Sequence, residues 1–83
     1  MMDPELRLRR AEALLNDELL NEAFDTLREE MMQRWENSAS SEVDARESLW
    51  LGLQLLARVR RHLHSIIETG EMAKLREHGP PFI

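Results

Sequence analysis

Between Val43 and Ile67 the chain carries Leu49, Leu53, Leu56, Leu63 and Ile67 at steps of three, four and seven residues, flanked by Val59 and Ile66. Strands alternate every second residue and helices every 3.6, so this spacing specifies a helix with one apolar face. Ser41 followed by Asp44 predicts its start, and Gly70 predicts its stop through access to positive φ. At about 1.5 Å per residue, such a helix is roughly 40 Å long. Its apolar face requires a second surface to cover it, and that requirement governs how the rest of the chain is read.

The chain has 83 residues, enough for one small domain that is marginal alone unless stapled or oligomeric. It has no cysteine, which excludes disulfides and thiolate metal sites and suits synthesis inside a cell. A net charge of −5, from 11 basic and 16 acidic residues, argues against a general binder of nucleic acid or anionic membrane. No apolar run approaches the ~18 residues of a membrane span, and the first residues lack a signal-peptide core. No membrane partner is therefore expected.

Asp3-Pro4 opens the first helical stretch, because Asp accepts from free backbone N–H groups and Pro at the first position loses no hydrogen bond. Leu6, Leu8, Ala11, Leu14 and Leu15 continue it. Asn16-Asp17 interrupts the pattern, since both residues favour caps over helix interiors. From Leu19 to Trp35 the stripe returns through Leu20, Phe24, Leu27, Met31 and Trp35, with acidic residues mostly off it. Residues 36–41 read E-N-S-A-S-S and form the clear interior loop.

A loop this short folds its two helices back on each other. The expected fold is all-α: an antiparallel helical hairpin with an N-terminal helical extension and a short C-terminal helix and extended tail. Its arms cover about 4–36 and 42–69, with either a bend or a break between two near-collinear segments at 16–17, the break preferred, and residues 71–83 form the short helix and Pro-Pro tail. Phe24, Leu27, Met31, Trp35, Leu49, Leu53, Leu56 and Leu63 are expected to build the hairpin core. Trp35 and Trp50, one from each arm, are expected to share a cluster with Met31, Met32 and Leu49 at the turn end. Folding back also places Asp17, Glu18 and Glu22 opposite Arg58, Arg60 and Arg61, in surface pairs worth ~0–1 kcal/mol each.

Nothing in the chain spells a reaction. His62 and His64 are two apart on a helix and diverge; His64 and Glu68 have i,i+4 spacing, which reads as an ion pair before it reads as a metal pair. The serines cluster at the loop and helix start, where capping occupies them, and no G-x-S-x-G elbow is present. Gly52, Gly70 and Gly79 are too far apart for a phosphate loop; Gly52, inside the long helix, is either a site of close approach for another helix or a tolerated imperfection. The expectation is a non-enzymatic protein with no cofactor and no metal.

Arg7, Arg9 and Arg10, with Arg58, Arg60 and Arg61, are the candidate contacts to nucleic acid; their plain reading is a solvated helix face and a charge-matched helix end. Leu6, Leu8, Trp50, Phe82 and Ile83 are the candidate partner contacts. The last two tip a Gly-Pro-Pro tail that restricts its own φ; it is either a frayed end or a peptide that docks in a groove of a neighbouring chain.

Arg46, Glu47, Leu49 and Trp50 form an R-E-x-L-W opening, and Leu63, Thr69 and Gly70 a matching close. With the preceding L-N-D-E-L-L-N-E-A-F-D-T-L-R-E-E, the stretch from Leu15 to Ala73 resembles short helical proteins, mostly of unassigned function, encoded among tailed-phage head and packaging genes. The resemblance implies a virion context and carries no catalytic motif. The expected function is thus a small virion component, made in the host cytoplasm, that packs on a larger capsid, portal or tail protein or on itself. The alternatives are an acidic helical regulator of a host or phage enzyme and a DNA-packaging accessory.

Overall fold

The computed structural model describes residues 2–78. These residues form three helices and no strand: α1 (Pro4–Leu15), α2 (Glu18–Asn37) and α3 (Val43–His78). The fold is all-α and built on an antiparallel helical hairpin. Two compact units divide the described residues, one joining residues 2–17 to α3 from Arg60 to its end at His78 and the other comprising Glu18–Val59.

The helix ends follow from local chemistry. Asp3 caps α1: its carboxylate accepts from the Leu6 N–H at 3.4 Å and its carbonyl accepts from the Arg7 N–H at 2.9 Å. Pro4 occupies the first turn, where its missing N–H removes no intrahelical bond. At the other end the Asn16 N–H donates to the Glu12 carbonyl at 3.0 Å and the Asp17 N–H to the Leu14 carbonyl at 3.2 Å. Two residues thus separate α1 from α2, which makes them distinct helices.

In the Glu18–Val59 unit, the α2–α3 turn is closed by side chains. The Ser38 hydroxyl and backbone N–H both donate to the Trp35 carbonyl, at 2.6 and 3.2 Å. The Ala39 N–H donates to the Glu42 carboxylate at 3.3 Å, while the Glu42 N–H donates back to the Ala39 carbonyl at 2.9 Å. This reciprocal pair has the logic of a capping box. The Glu42 carbonyl then takes the first helical bond of α3, from the Arg46 N–H at 3.0 Å. The start expected from Ser41 and Asp44 is set instead by Glu42, whose longer side chain reaches back across the turn.

Within this unit Met31 meets Gly52, and Trp35 meets Arg46. As one index rises the other falls, which is antiparallel pairing. Phe24, Met31, Leu49, Leu53 and Leu56 are half-buried along the seam. Leu27 and Trp35 are 44% and 39% exposed, so they edge the seam rather than fill it. Two helices cover one stripe of each other, and residues displaced around the circumference stay wet. Leu63, expected in this core, is half-buried in the other unit.

The tightest packing lies in that other unit. Leu8 and Ala11 of α1 are 3% and 2% exposed, and Gly70 of α3 is buried. Gly70 therefore does not stop the long helix. α3 continues through it to His78, and the expected short C-terminal helix is the last part of α3. The cause is steric: a Cβ on Gly70 would stand 2.6 Å from the Leu8 Cβ and 3.0 Å from the Pro4 carbonyl oxygen. The glycine is used for close approach of α1, with no turn required.

Candidate interaction surface

The side chains left facing water are the main feature of this surface. On α3, Val43, Trp50, Leu51, Leu55, Val59, Met72 and Leu75 are all exposed, from 41% to 69%. On α2, Leu19 is 73% exposed. Among the described residues, fourteen large apolar side chains are exposed, whereas the buried apolar ones are Leu8 and the small Ala11 of α1. Scattered apolar residues are ordinary on protein surfaces, but a continuous stripe marks a contact surface. Leu51, Leu55 and Val59, spaced i, i+4 and i+8, form such a stripe.

The expected partner contacts divide. Trp50 is 54% exposed and Leu6 is 36% exposed, so both are available. Leu8 is not: it seals α1 against Gly70 and is corrected from a partner contact to a core residue. Phe82 and Ile83 lie outside the described residues. Trp50, expected to cluster with Trp35, is more than half exposed, and the contact seen at the Trp35 ring is with Arg46. The Arg46 guanidinium carbon lies 3.9 Å from the Trp35 ring centroid, and its Nη1 donates to the Ser38 carbonyl at 3.4 Å. A cation over an indole face is held by the ring quadrupole. Arg46 stands three residues before Leu49 and seven before Leu53, so the helical spacing already puts it on the seam. Its charge alone would place it on the solvent side.

The basic residues differ in exposure. Arg9, Arg10, Arg58 and Arg61 are exposed, while Arg7 and Arg60 are half-buried. Arg58 belongs to the Glu18–Val59 unit and the other five to its counterpart. Arg7 lines a cavity of about 270 Å³ with His62, Ser65, Ile66 and Thr69. The Ser65 hydroxyl there is spent on the His62 carbonyl at 2.6 Å. A second, open groove of about 620 Å³ runs beside the α2–α3 turn and mixes Glu30, Glu42 and Arg34 with Ala45 and Leu49.

Among the described residues no group of three or more His, Asp or Glu is placed to hold a metal ion. No described helix is long and apolar enough to cross a membrane. Comparison with protein-family models, characterised proteins and solved structures finds no significant match.

Proposed function

We propose that this chain is a small non-enzymatic structural protein that acts by laying exposed helix faces on other protein, as a component of a tailed-phage virion. The observation that carries the contact reading is the imbalance between its buried and exposed apolar residues. Among the described residues, Leu8 and Ala11 alone are buried apolar side chains, while Leu51, Leu55, Trp50 and Leu75 remain more than half exposed. A small chain gains little stability from so few buried groups. Covering the stripe of α3 supplies the missing burial, at roughly 25 cal/mol per Å² of apolar surface removed from water. The virion context rests on the resemblance carried by Arg46, Glu47, Leu49, Trp50, Leu63, Thr69 and Gly70.

The test is the composition of purified particles. A structural component is present in them at a fixed copy number that survives high salt. Absence from intact particles, with the chain abundant in infected cells, would reject the virion role and favour a regulator.

A further inference from the structure

We infer that the exposed stripe of α3 is a self-recognition surface, and that a second copy of this chain packs on it with the two α3 helices antiparallel. The inference rests on the contact reading above and names the occupant of one face. Four residues carry it: Glu47, Leu51, Leu55 and Arg58. All four are exposed, with Leu51 at 54% and Leu55 at 61%. Their spacing of four, four and three places them within roughly 80° of the helix circumference, at about 100° per residue.

The order along that stripe is acid, leucine, leucine, base. Turned end over end, the stripe becomes its own complement. A two-fold axis near Leu53 sets Leu51 against Leu55 of the second copy and Glu47 against Arg58, each pairing made twice. Parallel helices in register would set Glu47 on Glu47 and Arg58 on Arg58, which repels at both ends. An isologous two-fold contact needs a patch that complements itself, and this stripe meets the condition. The leucines supply the burial, and the flanking charges select direction and register. Val59 (41% exposed) and Leu27 on α2 (44% exposed) extend the same unit's apolar surface.

The full chain, measured by sedimentation equilibrium up to about 100 µM, is expected to dimerise reversibly. Glu47→Arg and Arg58→Glu each convert both attractive pairs to repulsive ones, and each is expected to weaken the dimer by about tenfold. Mixed in equal amounts, the two variants form a heterodimer in which the introduced arginine meets the introduced glutamate. The native Arg58 of one chain then meets the native Glu47 of the other, so wild-type affinity returns. A parallel pairing predicts no loss in either variant alone. Leu55→Asp abolishes the dimer while circular dichroism stays unchanged, because Leu55 is not part of the buried core. A wild type that stays monomeric, a Leu55→Asp dimer, unaffected charge variants or a mixture without recovery would each overturn the inference. A helical monomer found at fixed copy number in particles would sink this dimer and leave the structural role standing; a dimer missing from particles would do the reverse.

Discussion

Gly70 and Leu8 face each other across a very close helix contact, so close that a Cβ on Gly70 would lie 2.6 Å from the Leu8 Cβ and 2.7 Å from its Cδ1. The nearest atom is fixed to the α1 backbone and cannot rotate away, and the Pro4 carbonyl oxygen stands 3.0 Å off on the same side. Gly70→Ala therefore sets two effects against each other. Alanine improves helix propensity by about 1 kcal/mol, and overpacking a tight contact costs about 1–3 kcal/mol. With backbone atoms in the way, the steric cost wins. Urea unfolding followed by circular dichroism should show a net loss of up to roughly 2 kcal/mol. A higher midpoint would show that α1 does not pack here.

Gly52 gives the opposite sign from the same substitution. Its added Cβ would meet only the Met31 Sδ at 3.1 Å and Cε at 3.3 Å, the far end of an unbranched side chain. Methionine has three rotatable bonds and re-packs readily. The helix-propensity gain then survives, and Gly52→Ala is expected to be neutral or to stabilise by up to ~1 kcal/mol. A fall in the urea midpoint comparable to that of Gly70→Ala would mean that the Met31 side chain is held rigidly.

These two glycines also show what periodicity can and cannot convey. The helices, the break at Asn16-Asp17 and the loop after Asn37 are legible, because turn-forming residues and 3.6-residue spacing are local signals. Gly70 continues the stripe, seven residues after Leu63 and three after Ile67, yet its composition reads as a stop. Whether a glycine ends a helix or admits a neighbour depends on a partner more than fifty residues away, which no local pattern reports. The same holds for Leu8: spacing marks it as apolar-faced, and only the placement of α1 decides that the face is covered. Of the candidate contact surface, Trp50 and Leu6 are readable as exposed. The Leu51–Leu55 stripe is not separable from the seam leucines, since both look alike until α2 takes its side.

Leu8 and Leu19 provide a matched pair of truncations. Leu8 is 3% exposed and Leu19 is 73% exposed. Leu8→Ala removes buried methyl groups and leaves a cavity, at an expected cost of about 2–4 kcal/mol. Leu19→Ala should shift stability by less than ~0.5 kcal/mol. If the full Leu8 cost threatens folding, Leu8→Met preserves most of the volume and should lose less than ~1.5 kcal/mol. Equal effects at positions 8 and 19 would contradict the placement of the core in α1.

The Trp35–Arg46 clasp is best measured by a double-mutant cycle, because each residue has other contacts. Arg46 also donates to the Ser38 carbonyl, and Trp35 lends its own carbonyl to the Ser38 hydroxyl. Trp35→Ala and Arg46→Ala remove the shared interaction separately and together. The coupling energy should come to about 0.5–1 kcal/mol, the range for a cation over a partly exposed ring. Arg46→Lys should not restore it fully, since an ammonium lacks the flat face that stacks on indole and is more strongly hydrated. The Ser38 bond would survive a Trp35 substitution, so a coupling near zero would assign Arg46 to the turn alone. A full coupling instead makes the cation–π contact the device that holds the α2–α3 turn closed, in a seam whose aliphatic side chains are only half-buried.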